Sequence, residues 1–214
     1  MSPTVWQFHT TVTSGHGEFL SNSQTLANEI SKDIKLGDLD GDGDLDAVIA
    51  NSGANTVWFN DGMGQFTNSG QSLGNASSAI DLGDLDGDGD LDIFDVDFNS
   101  TDKVWLNDGA GNFTDSGQNL DHANGDSVTV ALGDVDGDGD LDAYVGNYNG
   151  EDSLWFNDGA GNFTDSGQSL HLSRNNVARL GDLDGDGDLD LFFVTDNGAN
   201  DWVWFNDGAG NFTS

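Results

Sequence analysis

Apolar and polar positions alternate along this chain in short bursts, and the same order of bursts recurs four times. The pairs Ile34/Leu36, Ile80/Leu82, Val130/Leu132 and Ala178/Leu180 put apolar side chains at every second position, the period of a half-buried β-strand. Each pair leads into a stretch of aspartate and glycine, and a second apolar run follows at residues 45–50, 91–96, 141–145 and 189–194. These runs are short and rich in β-branched or aromatic residues, as strands are. Beyond a polar stretch of varying sequence comes a third strand, marked by Trp58, Trp105, Trp155 and Trp204. Asn-Asp-Gly-x-Gly then turns the chain into a fourth strand at Phe66, Phe113 and Phe163, a hairpin signal with glycine where positive φ is needed.

The aspartate stretches begin at Gly37, Gly83, Gly133 and Gly181, spaced 46, 50 and 48 residues apart. Four antiparallel strands at such a period predict one propeller blade, so the expected fold is an all-β propeller of four-stranded antiparallel blades in a single domain over residues 1–214. A β-solenoid is the alternative, but its repeats are usually shorter. Four innermost strands allow four complete blades. The last repeat reaches only Phe212-Thr213-Ser214, while residues 17–26 repeat the pattern of residues 161–170. The economical reading is a four-bladed ring in which residues 1–36 supply the closing strand and so remove exposed edges. Val5-Trp6-Gln7-Phe8 resembles a further tryptophan strand, which keeps a five-bladed ring or part of a larger ring open.

The aspartate loop carries the candidate chemistry. In the first copy Asp38, Asp40, Asp42, Asp44 and Asp46 occupy positions 1, 3, 5, 7 and 9. Side chains at 1, 3, 5 and 9 can converge on one centre, and the backbone carbonyl at 7 adds an oxygen. Gly43 at position 6 permits the sharp turn between them. Hard oxygens in a flexible loop suit Ca²⁺, which takes 6–8 ligands, better than Mg²⁺, and the absence of nearby His, Cys or Met disfavours zinc and copper. The spacing repeats as Asp84, Asp86, Asp88, Asp90 and Asp92, as Asp134, Asp136, Asp138, Asp140 and Asp142, and as Asp182, Asp184, Asp186, Asp188 and Asp190. Four Ca²⁺ sites are therefore expected. A solvated acidic turn is a plausible account of one such loop and a poor one of four, because clustered carboxylates repel without a cation. The motif is not an EF-hand: position 12 is Ile49, Asp95, Val145 or Phe193 rather than Glu, and both flanks read as strands.

Composition strengthens this reading. The chain holds 39 acidic and 5 basic residues, a formal net charge of −34, and four Ca²⁺ would bring it to −26 where the charges are densest. Such a polyanion repels phosphate backbones and anionic headgroups, so nucleic acid is not an expected partner. No apolar run approaches the roughly 18 residues of a membrane span, so membrane insertion is not expected. The first residues lack the basic and apolar regions of a signal peptide. Gly is abundant at 31 residues, but 6 Trp and 13 Phe argue against disorder. With no cysteine there are no disulfides or thiolate metal sites.

D-x-D-x-D-G-x-x-D between two strands, repeated through the chain, resembles the FG-GAP/VCBS repeats of integrin-α-like propellers. The resemblance runs from about Gly17 to Ser214. It implies Ca²⁺ held through positions 1, 3, 5 and 9 with the position 7 carbonyl, and a role in extracellular or cell-surface adhesion or ligand recognition. Integrin-like rings are usually larger, typically seven-bladed.

Little points to catalysis. The regular carboxylates belong to the repeated loop, where a unique catalytic pair should break the repeat. His9, His16, His122 and His171 stand in irregular segments without a nucleophile motif, and five cations are a poor supply for holding phosphate. The chain is expected not to be an enzyme, with a hydrolase or lyase as the weakest reading. The sequons at Asn112, Asn162 and Asn211 fall inside the hairpin consensus and read as structural. The four in-register tryptophans read as blade-to-blade core rather than as sugar platforms, while Trp6 and Trp202 break the pattern. Recognition is expected in the connections that vary between repeats, on the face opposite the aspartate loops. His122, Tyr148, His171, Arg174 and Trp202 are the candidate ligand residues there. The functional expectation is an extracellular binding or adhesion module for a glycan or protein. A purely structural repeat scaffold, natural or consensus-designed, is the alternative, and it predicts the same drift of the loops.

Overall fold

The computed structural model describes residues 23–26, 29–120, 126–168, 170, 175–195 and 200–214. Every regular element among them is a β-strand. Blade 1 consists of β1 (Ser31–Gly37), β2 (Asp46–Asn51), β3 (Thr56–Asn60) and β4 (Phe66–Asn68). Blade 2 follows with β5 (Ala79–Gly83), β6 (Asp92–Val96), β7 (Lys103–Asn107) and β8 (Phe113–Asp115). Blade 3 is β9 (Ser127–Gly133), β10 (Asp142–Asn147), β11 (Ser153–Asn157) and β12 (Phe163–Asp165). Blade 4 is β13 (Asn175–Gly181), β14 (Asp190–Thr195), β15 (Trp202–Asn206) and β16 (Phe212–Thr213). Each set forms an antiparallel sheet in which sequence order equals spatial order, the up-and-down blade that the alternation predicts.

Register is fixed where the chemistry sits. The first two strands of each blade close on the pairs Gly37–Asp46, Gly83–Asp92, Gly133–Asp142 and Gly181–Asp190. The aspartate loops are thus the turns at one end of every blade. The first strands β1, β5, β9 and β13 are the inner ones, and residues from all four line a cavity of about 290 Å³. Lys32, Lys35 and Arg179 face it, three of the five basic residues in the chain, and Lys35 pairs with Asp81 at 2.9 Å.

The core lies between blades rather than within them. Val48, Val57 and Leu39 of blade 1 pack against Ile80, Ile93 and Trp105 of blade 2. Phe94 and Val104 of blade 2 meet Ala143, Trp155 and Phe163 of blade 3, with Phe94 edge-on to Phe163 at 5.1 Å between ring centroids. Tyr144 and Leu154 of blade 3 pack on Leu191, Phe193 and Trp204 of blade 4. Trp105, Trp155 and Trp204 are therefore core residues, as their repeat position predicts. Trp58, which joins none of the blade-to-blade clusters among the described residues, is half-exposed and donates to Thr56 Oγ1 at 3.0 Å.

A glutamine on each outer-strand loop fastens the stack. Gln71 accepts from Phe113 N of the next blade at 2.9 Å and donates to Gly111 O at 2.6 Å. Gln118 does the same to Phe163 and Gly161 of blade 3, and Gln168 to Phe212 and Gly210 of blade 4. Gln24 likewise accepts from Phe66 N on blade 1 at 3.0 Å, but it donates to the carbonyl of Phe66 itself rather than to that of the hairpin glycine. Of the segment expected to close the ring, residues 17–22 and the Val5–Phe8 pattern lie outside the described residues.

Candidate metal centres

Each aspartate loop is shaped by its own carboxylates. Asp38 Oδ1 and Oδ2 accept from Gly41 N and Gly43 N, both at 3.0 Å, which curls the backbone around the side chain. Asp84 and Asp134 repeat both bonds, and Asp182 accepts from Gly185 N. The glycine at position 6 sits at φ between 92° and 102° in all four copies, a left-handed backbone that a side chain would strain. The two strands leaving the loop keep its ends together, so a turn with five acids in it is held shut by β pairing.

Position 9 works as a staple. Asp46, Asp92, Asp142 and Asp190 bury their side chains and take one backbone N–H from position 2 of the loop and another from the asparagine that opens the hairpin, at 2.8–3.1 Å throughout. The hairpin asparagine then reaches across blades. Asn107 Nδ2 donates to Leu39 O, Asn157 Nδ2 to Leu85 O and Asn206 Nδ2 to Val135 O, at 2.7–2.9 Å. Every loop is thereby tied to its own hairpin, and the first three are tied to the next blade as well. Neither the asparagine nor the glutamine bridge was read from the sequence; both residues recur in every repeat, but recurrence does not name a partner.

The carboxylates converge as a metal site requires. Oxygens of Asp38, Asp40 and Asp42 lie within 4.8 Å of one another. The same holds for Asp84, Asp86 and Asp92, for Asp134, Asp136 and Asp142, and for Asp182, Asp184 and Asp190. Position 9 thus joins the group in three loops and position 5 in the first; Asp46, Asp88, Asp138 and Asp186 stand outside these groups. Position 7 does something else with its side chain. Asp44, Asp90, Asp140 and Asp188 lie against the hairpin glycines Gly62, Gly109, Gly159 and Gly208, where only a residue without Cβ fits. Their carboxylates belong to none of the four converging groups.

The electrostatics match the donor set. Burial and then neighbouring carboxylates push Asp40 and Asp86 above the usual carboxylate range. Burial raises Asp92 and Asp142 further, each to about 6, against the two N–H bonds they accept. Such crowding favours any cation that replaces protons, and all-oxygen donors suit Ca²⁺. When bound, the ion would supply the positive charge that lets these loops stay fully ionised.

The opposite end is built differently. A cleft of about 400 Å³ opens between the connections that vary among repeats, lined by Ser52, Ser77, Ser78, Phe98 and Asn99 with Lys32 at its edge. Phe98 also packs on Tyr148, one of the candidate ligand residues, at 5.8 Å between ring centroids. Trp202 is exposed on blade 4. His122, His171 and Arg174 lie outside the described residues, as do His9 and His16. Phe98 was missed by sequence reading, although an aromatic where blade 1 has Ser52 was the signal. Asn112, Asn162 and Asn211 each hold the aspartate that starts their hairpin, consistent with a structural role for those sequons.

Repeated aspartate loops between the inner strands of four-stranded blades define a class: β-propellers with an acidic metal-type loop on every blade. Comparison with known proteins narrows it. The profile of the FG-GAP-like repeat matches residues 38–94, 84–145 and 134–193, so the chain belongs to the FG-GAP-like repeat family. No curated protein matches it. Among solved structures it is similar to an Agrocybe aegerita lectin described as specifically recognising non-reducing terminal N-acetylglucosamine. The identity is 23% and the TM-score 0.56, over 84% of this chain and 50% of the lectin chain. The present chain thus spans about half the length of that relative.

Proposed function

We propose that this chain is a Ca²⁺-stabilised propeller serving as a non-enzymatic, extracellular binding module for a glycan, with the aspartate loops as scaffold and the opposite end as recognition surface. The observation that carries the calcium part is the convergence of three carboxylates in every one of four loops, each loop closed by the same Gly–Asp strand pair. Loops without a bidentate Glu suit the ~10⁻⁴–10⁻³ M affinities of extracellular modules, and so an extracellular setting. Glycan rather than protein is supported by a cleft of cyclic-sugar size with an aromatic wall at Phe98 and hydroxyls at Ser52, Ser77 and Ser78. A similar fold in a sugar-binding lectin supports it too.

The test is a glycan array probed in millimolar Ca²⁺ with wild type, Phe98→Ala and Tyr148→Ala. Binding by wild type that is weakened by Phe98→Ala supports the reading. Blank arrays together with blank protein pull-downs would favour the second reading, a scaffold without ligand, for which the near-identity of the repeats speaks.

A further inference from the structure

Among the described residues the stacking of blade on blade occurs three times, and its two halves are exposed on blades 4 and 1. Each blade offers one side face to the next. Leu39 and Phe59 of blade 1, Leu85 and Leu106 of blade 2, and Val135 and Phe156 of blade 3 all lie in such contacts. The residues at the same repeat positions in blade 4 are Leu183 and Phe205, and they are 50% and 43% exposed. The receiving face shows the reverse. Leu82 and Leu91, Leu132 and Leu141, and Leu180 and Leu189 are packed against the preceding blade. Their counterparts in blade 1, Leu36 and Leu45, are 56% and 51% exposed.

Finer contacts stop at the same two faces. A Cβ placed on Gly37, Gly83 or Gly133 would strike the leucine pair of the following blade, whereas nothing lies within 4 Å of that point on Gly181. The hairpin asparagines of blades 2, 3 and 4 donate to the preceding blade, while Asn60 of blade 1 donates to Leu45 O of its own. Blade 1 nonetheless already gives its Phe66 N–H to Gln24, as the other three blades give the matching Phe N–H to a glutamine of the blade before them. Its open face is furnished to accept a blade.

We propose that this face accepts blade 4 of a second copy of the chain, and that the contact is made twice, so that two chains close head to tail into one eight-bladed ring. The interface is continuous with one the chain builds three times internally, down to the leucine pair and the glycine it covers. Contiguous exposed apolar surface of this kind marks an association site. Head-to-tail contacts close when the rotation per subunit allows, and eight blades lie within the range that propellers adopt. In the structure β1 and β13 border the same cavity without covering Leu36 or Gly181.

Light scattering and small-angle X-ray scattering of the 214-residue chain in saturating Ca²⁺ test this. The expected result is twice the 22.6 kDa chain mass with the profile of a closed ring. Leu36→Asp and Phe205→Asp, each on a face that is solvent-exposed in the single chain, should both give monomers with unchanged Ca²⁺ stoichiometry and far-ultraviolet circular dichroism. Mixing the two variants should restore pairing, because each keeps the face the other has lost. A wild-type monomer, whether compact as a self-closed four-bladed ring or open, would overturn the proposal. So would filaments, or a wild-type dimer that Leu36→Asp leaves intact. The readout needs no sugar, so it fails or succeeds independently of the glycan reading.

Discussion

The two ends of each blade solve the same problem, a turn between strands, by opposite means. At the aspartate-loop end the solution is repeated almost without change: position 1 curls the backbone, position 9 staples loop to hairpin, and the leftover charge is gathered at one point. At the other end, among the described residues, one side-chain device recurs in all four blades. Asn55, Asp102, Asp152 and Asp201 each accept a backbone N–H from the end of the second strand of their blade. Around that device the blades diverge. Asp102 is buried against Ser127, Asp152 accepts from the hydroxyl of the buried Tyr144, and Asn55 bridges to Asp95. Charge is concentrated at the first end, where a bound cation would neutralise it, and buried at the second, which pushes carboxyls such as Asp95 and Asp102 toward the neutral form. One end is therefore free to vary while the other is not.

Removing calcium should break the comparison most severely. Ions that bind only the folded chain stabilise it by about 2.7 kcal/mol per site at a hundredfold excess over Kd, so four sites should contribute roughly 10 kcal/mol. At 2–4 °C per kcal/mol for a domain of this size, chelation should lower Tm by about 20 °C or more, read by differential scanning calorimetry. Next in size is Asp142→Asn. The amide keeps one acceptor but sets an NH₂ against one of the two N–H groups of Val135 and Asn157, at a cost of about 1–3 kcal/mol, and one calcium should be lost as well.

A third expectation concerns pH at the variable end. Burial raises Asp102 to about 8, so its proton is retained in the folded chain after the unfolded chain has lost it. A raised carboxyl pKa stabilises the fold at low pH and loses that contribution as pH rises toward the folded value. Between pH 6 and pH 8, at saturating Ca²⁺, wild-type stability should fall by up to about 1.4 kcal/mol per unit. Asp102→Asn should flatten the slope in urea titrations, since Asn55 shows that an amide fits this position. A slope unchanged in the variant would contradict the burial argument. Smallest is Asp140→Ala. Its side chain lies on Gly159, outside the carboxylate group, so the variant should still bind four calcium ions while Asp136→Ala binds three.

The order of strands, the blade period and the place of the loops were legible because each has a periodic signature: alternation for strands, glycine for turns, identical spacing for repeats. Burial of Trp105, Trp155 and Trp204 was legible for the same reason. The division of labour among five acids was only half legible. Spacing set position 7 apart as a carbonyl donor, but it did not show that position 9 staples the hairpin before it can serve a metal. The cross-blade bonds of Gln71 and Asn107 were illegible, because their partners are about 40 and 68 residues away and no local pattern encodes such pairings. Phe98 was illegible because its loop varies between repeats, and only the fold brings it beside Ser52, Ser77 and Ser78 as the wall of a cleft.

Calorimetric titration of decalcified protein with CaCl₂ tests most directly whether divalent ions settle into the carboxylate groups. Saturation at four ions per chain, dropping to three in Asp136→Ala, is the expected outcome. No heat of binding, or a stoichiometry indifferent to Asp136, would contradict it.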